Sequence, residues 1–389
     1  MRIAIFTNNY LPNPYGVSTS IETFRRELES RGHTVYIFAP RWPGYVDKNP
    51  NVFRYPSLDI EIKFRFPLAI PFSWKMSKIL KNLDLDIIHS QHPNLLGSAA
   101  RRWAKKKNIP LVFTWHTLYD HYAHFAGVIP EKIAVGYMVK KATKYADQAD
   151  AVVVPTDSII PILRKWGVKN KTIVPVATGV EESAFANPDG KKIREKYGIG
   201  SDEIVLFLVS RLTTEKNMEF LFRSLVSILQ KDGRIKFVIC GDGDLKPKLK
   251  DFCQKENIEK QVIFAGVVSR KEIKNYFAAG DIFVYASKSE TQGMIVTEAM
   301  YSGLPIVAVD ATGSKSLILN NGNGYLVKEN EEEFSEAVFK LIEDENLRKK
   351  FGEVSKKIAK SFTSSVCAEK LLSVYGEAIR KNKEARIFR

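Results

Sequence analysis

Short apolar runs alternate with amphipathic stretches along almost the whole chain, a pattern of buried strands set between helices. In the first half the runs Arg2 to Thr7, Val35 to Ala39, Asp86 to Ser90, Leu111 to Thr114, Ala151 to Pro155 and Thr172 to Val176 predict strands. In the second half Ile204 to Ser210, Lys236 to Gly241, Val262 to Gly266, Ile282 to Ala286 and Leu304 to Val309 do the same, and a turn at Asn320 leads into a last strand ending at Val327. Helices fill the intervals: one capped by Ser18 or Thr19 with Glu22 following, one after His92, one ending near Trp166, one from Met218, and one from Met294 to Ser302 closed by Gly303. From Glu331 to about Lys381 the chain is Glu/Lys-rich and helical. Strands that are apolar throughout, each followed by a helix, belong to parallel sheets covered on both faces. The fold class is therefore α/β, with two doubly wound parallel sheets.

At 389 residues the chain is too long for one core, and Pro188-Asp189-Gly190 reads as a link between halves, with a first domain over 1–185 and a second over 186–362. Three scattered cysteines, Cys240, Cys253 and Cys367, fit a reducing cytoplasm and lack metal spacing. Met1 leads straight into a strand, leaving no signal peptide, and no apolar run approaches the roughly 20 residues that cross a bilayer. The net charge is +15, concentrated in the first domain, where 25 Lys+Arg face 15 Asp+Glu against 34 and 29 in the remainder. Such a domain attracts nucleic acid, anionic lipid or an anionic substrate. No zinc-finger spacing or RNA-recognition strand is present, and the aromatics lie near prolines rather than on a stacking platform, so nucleic acid is not an expected partner.

The candidate chemistry gathers at strand carboxyl ends, where open α/β sheets bind ligands. Glu290 follows the strand at 282–286, and Glu298 lies eight positions on, inside the next helix. Taken alone the two are a helix-dipole partner and a solvated helix residue. Arg211 and Lys216 follow the strand at 204–210 beside a helix start, a place for a diphosphate or for a structural ion pair. Gly16, in the loop after the first strand, offers backbone N–H groups to a phosphate; the same loop reads equally as an ordinary turn. His116 stands at a strand end, which favours a ligand-facing role, whereas His121 and His124 read as packing or surface residues. The three do not have metal spacing, and no Asp-x-Asp donor-metal motif fits, so no metal site and no tightly bound cofactor are expected; stimulation by a divalent ion is left open.

Residues 54–82 interleave Lys63, Arg65, Lys75, Lys78 and Lys81 with Phe64, Phe66, Phe72 and Trp74, and a second basic run holds Arg101, Arg102, Trp103, Lys105, Lys106 and Lys107. Cations among aromatics suit a surface at lipid headgroups; a solvated basic face with inward aromatics is the alternative.

The Glu-x7-Glu spacing of 290 and 298, Arg211-x4-Lys216-Asn217 and His116 together resemble the retaining glycosyltransferases of GT-B fold, family four. The resemblance spans nearly the whole chain. It implies two Rossmann-like domains facing a central cleft, with 363–389 crossing back to the first. It implies that Glu290 faces the donor sugar, Glu298 holds the ribose, Arg211 and Lys216 clamp the diphosphate, and His116 lies against the sugar. The loop Thr291-Gln292-Gly293, leading to Met294, and the strand end at Gly266 belong to the same donor site. The family loop usually reads Gly-Phe-Gly after the first Glu. Here Glu-Thr-Gln-Gly, with the run from His116 through Tyr119 to His124, resembles the diacylglycerol glucosyltransferase branch. At the first loop the family's paired glycines are reduced to Gly16, because Tyr15 replaces one. What this implies is a cytoplasmic enzyme, peripheral on the inner face of the cell membrane. It takes UDP-glucose as co-substrate and glucosylates 1,2-diacylglycerol, with Lys63, Arg65, Trp74, Lys75, Arg101, Arg102, Trp103, Lys105 and Tyr119 toward acceptor and membrane. A same-family enzyme with a soluble or phosphatidylinositol-like acceptor is the alternative, and a nucleotide-binding regulator without turnover is a different class.

Overall fold

A computed structural model describes residues 1–13, 16–61, 65–118 and 131–387. The chain forms two compact units, Met1–Gly179 with Ser364–Arg389, and Val180–Thr363.

The first unit holds β1 (Arg2–Phe6), β2 (Thr34–Pro40), β3 (Val52–Tyr55), β4 (Ser57–Glu61), β5 (Arg65–Ala69), β6 (Ile87–Ser90), β7 (Leu111–Thr114), β8 (Ala151–Val154) and β9 (Ile173–Pro175). Seven of them make one parallel sheet in the order β3-β2-β1-β6-β7-β8-β9. Burial explains why these strands read as unbroken apolar runs. Ile3 and Ile5 of β1 point into one layer with Val35, Ile37 and the last helix, while Ala4 and Phe6 point into the other with Phe38, Ile88 and Phe113. That last helix, Ser364–Ile387, lies over the first face with the helix Gly16–Ser30. Arg31 ties the two by donating to the Ser365 carbonyl and hydroxyl oxygens at 3.0 and 2.9 Å.

One expectation changes here, and one element is added. The helix after β1 begins at Gly16, so Ser18 and Thr19 are inside it and do not cap it; Ser18 is fully buried. The Pro-interrupted stretch after residue 56 is an antiparallel ribbon, β4 with β5, in which Pro67 faces Asp59. A two-stranded ribbon is all edge, so the N–H that proline lacks is not missed.

The second unit holds β10 (Ile204–Val209), β11 (Ile235–Cys240), β12 (Val262–Gly266), β13 (Ile282–Tyr285), β14 (Ile306–Val309) and β15 (Gly324–Val327), parallel in the order β12-β11-β10-β13-β14-β15. The Pro188-Asp189-Gly190 turn belongs to a helix start, where the Asp189 carboxylate accepts from the Lys192 N–H at 3.0 Å. The acidic and basic stretch from 331 is three helices, Glu331–Glu343, Glu345–Ala359 and Ser364–Ile387. In each sheet the chain reverses its winding direction once, beside β1 and β6 in the first and beside β10 and β13 in the second. Strand ends at such a reversal open a crevice, because the helices that follow diverge to opposite faces.

The end of β10 is held in place by a glycine turn. A Cβ on Gly241, whose φ is +141°, would lie 1.8 Å from the Ser210 carbonyl oxygen, and one on Gly243 would lie 2.3 Å from that of Leu212. The close approach lets the Leu212 N–H donate to the Asp242 carbonyl and the Leu245 N–H donate to that of Leu212, both at 3.0 Å. Gly16 is the contrast, since among the described residues nothing lies within 4 Å of where its Cβ would be. Gly241→Ala is expected to lower stability by about 2 kcal/mol or more, and Gly16→Ala to leave it within about 1 kcal/mol. Urea midpoints check both.

Candidate active site

The loop from β13 carries Glu290, and the turn after β10 carries Lys216. Both strand ends flank the reversal of the second sheet. The Lys216 ammonium donates to the Glu290 carboxylate, and the Tyr285 hydroxyl donates to the same oxygen at 2.9 Å. Lys216 is aimed by a 3-10 turn, Thr214–Lys216, and by Asn217 at φ +58°, which starts the helix Met218–Lys231. Glu290 is aimed by Gly293 at φ +70°, the residue that begins the helix Met294–Tyr301, and by Gly313, where a Cβ would meet the Glu290 Cβ at 2.6 Å. A hydrogen bond of 3.4 Å from the Ser289 hydroxyl to the Glu215 carbonyl links the two loops.

Burial pushes the Glu290 carboxyl up, but Lys216, the Tyr285 hydroxyl and the Arg211 charge together outweigh it, and its pKa lies below the usual value. Glu298, inside the following helix and 5% exposed, goes the other way. Its own burial raises it, the nearby Glu181 adds to that, and the ion pair with Arg270 offsets only part. Arg211 makes a half-exposed ion pair with Glu215 at 2.9 Å. Such a pair contributes about 0–1 kcal/mol, so its guanidinium exchanges readily onto an incoming phosphate. Thr291 and Met294 are partly buried and Gln292 and Gly293 buried, all at the start of the helix Met294–Tyr301. Gly266 ends the edge strand β12, its carbonyl accepting from the Gly241 N–H at 2.7 Å.

The first unit holds the imidazole. His116 follows β7, its Nε2 2.6 Å from Gln91 Oε1. His89 Nδ1 is 2.6 Å from the Tyr375 hydroxyl and its Nε2 2.6 Å from that of Thr114. The Asn8 N–H donates to His92 Nδ1 at 3.1 Å. Burial holds all three imidazoles down, His89 to about 3, His92 to about 4 and His116 to about 3, and His92 and His89 add to the effect on His116. All three are neutral at pH 7. Gly16 is the first residue of the helix Gly16–Ser30.

The basic runs, distant in sequence, share one surface of this unit. Arg102 donates to the Pro71 carbonyl at 2.6 Å and lies 4.4 Å over the Phe72 ring, and Lys107 donates to the Leu83 carbonyl at 2.8 Å. Trp74 is 95% exposed, and Lys75, Arg101, Arg102 and Lys105 are exposed as well. Trp103 is the correction. It is 5% exposed and packed in the core beneath Lys106, because it falls on the apolar face of the helix Leu96–Lys107. Lys63 and Tyr119 lie outside the described residues, as do the Arg65 side chain, His121 and His124. Among the described residues no group of three or more His, Cys, Asp or Glu is placed to hold a metal.

Two site residues escaped the sequence reading. Tyr285 carries a signal, a hydroxyl at the end of the apolar run 282–285, and Arg270 carries none beyond its charge.

Residues 14–184 match the family described as Glycosyltransferase Family 4, and residues 189–358 match Glycosyl transferases group 1. Two similar proteins are each named alpha-monoglucosyldiacylglycerol synthase. That of Streptococcus pneumoniae is 34% identical over 79% of this chain and 71% of its own, and that of Acholeplasma laidlawii is 29% identical over 99% of both. Among solved structures, Anabaena Alr3699/HepE in complex with UDP and glucose superposes with a TM-score of 0.76 at 17% identity, over 97% of this chain and 100% of that one, and shows the fold.

The three neutral histidines set an acid limit. Unfolded, each has a pKa near 6.5 and binds a proton below it; folded, each resists until about pH 3–4. The unfolded state therefore takes up more protons, and stability is full above pH 6.5 and falls as pH drops below it. Ordinary carboxylates titrate below this window, and Glu298, Asp150 and Asp281, whose pKa values are raised, oppose the histidines, so the share of one histidine is read by removing it. Removing one, as in His89→Gln, is expected to flatten it by up to ~1.4 kcal/mol per pH unit. Urea midpoints from pH 7 to 5 measure this.

Proposed function

The chain belongs to the retaining glycosyltransferases of GT-B fold, related to the alpha-monoglucosyldiacylglycerol synthase family, and on that premise we propose that it moves glucose from UDP-glucose to the free hydroxyl of 1,2-diacylglycerol. The coarser part is its established chemistry: a nucleotide-sugar donor gives up its sugar to an acceptor. The observation that carries the donor site is the Lys216–Glu290–Tyr285 cluster at the reversal of the second sheet, with Arg211 acting on it.

The difficulty of the reaction is the charge that grows on the departing diphosphate. An ammonium has three N–H groups, and Lys216 points one at Glu290, leaving two for phosphate oxygens. Arg211 trades its weak surface partner for a bidentate phosphate contact. Glu290, held ionised by the same lysine, is an acceptor for sugar hydroxyls. Its charge also favours the oxocarbenium character that the anomeric carbon gains. Glu298, anchored by Arg270, is the ribose ligand, and the backbone from Thr291 to Met294 adds donors. His116 lies against the sugar, as the resemblance implies. No covalent nucleophile enters this account.

Glu290→Gln and Lys216→Ala are each expected to lose two or more orders of magnitude in kcat while the protein stays folded. Near-normal turnover of both variants removes the proposed site.

Two things support diacylglycerol as acceptor: the 34% identity to a protein of that name, and the exposed surface around Trp74 and Arg102. Each cation near an anionic bilayer adds about 1 kcal/mol. Under this reading the enzyme works from the cytoplasm at the inner face of the cell membrane. No helix among the described residues is long and apolar enough to cross one. The comparisons taken together favour the broader reading, a same-family enzyme with a soluble or phosphatidylinositol-like acceptor, because the groups in the donor cluster leave the acceptor open and the solved neighbour shows the fold alone. Mass spectrometry after incubation with UDP-glucose, UDP-galactose or GDP-mannose and diacylglycerol vesicles separates the two. Monoglucosyldiacylglycerol is expected from UDP-glucose, and its absence, with transfer to a soluble or inositol lipid acceptor, leaves the broader reading. Sedimentation with anionic vesicles at low salt tests the membrane surface; protein remaining in the supernatant ends that part.

A further inference from the structure

The proposed reaction uses His116, but the structure does more with this imidazole than expose it at a strand end. A side chain holds it, and its neighbours along the chain are themselves held. On one side Gln91 Oε1 faces its Nε2 at 2.6 Å, and Gln91 is itself fixed by its N–H donating to the Phe6 carbonyl at 2.8 Å. On the backbone, Trp115 is fully buried, and its indole N–H reaches across His116 to the Thr117 carbonyl at 2.8 Å. Thr114 precedes this pair, and its hydroxyl is 2.6 Å from His89 Nε2. His89 then leads to Tyr375 on the last helix, through a contact of 2.6 Å and an edge-to-face ring packing at 5.6 Å.

The neutrality of His89 makes its two contacts opposite in sense. His89 is neutral, so it has one N–H and one lone pair. A neutral imidazole that donates from Nε2 to Thr114 must accept at Nδ1, and the Tyr375 hydroxyl is the donor there. If the tautomer were reversed, Tyr375 would have to accept, leaving its own buried proton to find another acceptor. Burial raises the Tyr375 pKa, so its proton stays in place. In the direction Tyr375 to His89 to Thr114 the Tyr375 proton and both His89 nitrogens are paired within the line. A small cavity of about 10 Å³, room for roughly one water, is lined by Ser20, His89, Gln91, Thr114, His116 and Thr178 among apolar neighbours. Thr114 and His116 therefore share a polar pocket as well as a chain segment.

The sequence spends three fully or nearly buried polar side chains on this line. Tyr375 is 0% exposed, His89 3% and Thr114 7%. Apolar residues of like volume would fill such space without the desolvation cost of an imidazole. We propose that Tyr375, His89 and Thr114 are positioning residues for His116, so that the last helix sets the orientation of the imidazole. The inference rests on the reading of His116 as the sugar-facing group. It assigns work to a helix whose other contacts, such as Arg31 with Ser365, are only structural.

A double-mutant cycle on the full chain tests it. Tyr375→Phe keeps the ring and its packing and removes the one hydroxyl. It is expected to lower kcat about tenfold or more, with the KM for UDP-glucose and the thermal midpoint little changed. In a His116→Ala background it is expected to change the residual kcat by less than twofold, since there is no imidazole left to position. Thr114→Ser, which keeps the hydroxyl, should hold near-normal kcat, and Thr114→Val should match Tyr375→Phe. Normal turnover of Tyr375→Phe, or the same fold loss in both backgrounds, overturns the inference while the donor site stands. Unimpaired His116→Ala instead takes His116 out of the proposed site and this inference with it, leaving Glu290 and Lys216 to their own variants.

Discussion

A carboxylate and an ammonium, each mostly removed from water, face each other where the second parallel sheet reverses its winding. Neither group is tolerable alone at that depth: stripping one partner from a buried pair costs about 3–5 kcal/mol. Everything nearby serves to bring them together. The Gly241 and Gly243 turn presses against the end of β10 and so aims the segment that ends in Lys216. Gly293 and Gly313 allow the opposite loop to fold close enough for Glu290 to reach. The glycine turn after β11 carries little information as a motif. Its meaning is steric, and it appears only when the Ser210 carbonyl is found where a methyl group would be.

Glu290 and Glu298 are the same residue type in one loop-helix unit, and their surroundings drive them apart. Glu290 has a lysine, a phenol and a more distant arginine, and these win over burial. Glu298 has one arginine, itself 41% exposed, and burial wins. Divergence of this kind is how a single site assigns different work to two carboxylates. The one held ionised is suited to a centre gaining positive character. The one that resists charge is suited to sharing hydrogen bonds with neutral hydroxyls.

The fold was largely open to a reader of the sequence, because a strand buried on both faces must be apolar throughout and helices that cover it must be amphipathic. β7 and β12 fall where the pattern puts them, Leu111–Thr114 and Val262–Gly266. The ribbon β4–β5 was hidden because its two strands stand outside the parallel sheet, and prolines interrupt its local signal. Trp103 misled for a related reason: a tryptophan among five cations reads as interfacial, yet helical periodicity turns the ring inward while the charges stay out. Glu290, Lys216 and Arg211 were singled out by the resemblance, since their places at strand ends also suit structural roles, whereas Tyr285, Arg270 and the line from Tyr375 to Thr114 depend on contacts across 5 to 286 positions, for which one sequence offers no ruler.

The three uncharged imidazoles of the first unit carry a real liability, since each weakens the fold as the medium turns acid. A reason to keep them lies in the proposed chemistry. The sugar carbon gains positive character as the diphosphate departs, and an imidazolium beside it would repel that charge by several kcal/mol in a water-poor site. An ordinary surface histidine is protonated in a noticeable fraction of molecules at pH 7. Burial beside two other imidazoles drives that fraction for His116 to a negligible level, and the Gln91 oxygen fixes which nitrogen keeps its proton. The same arrangement that makes this unit sensitive to acid therefore delivers a hydrogen-bonding group without the positive charge that would oppose a cation in the making.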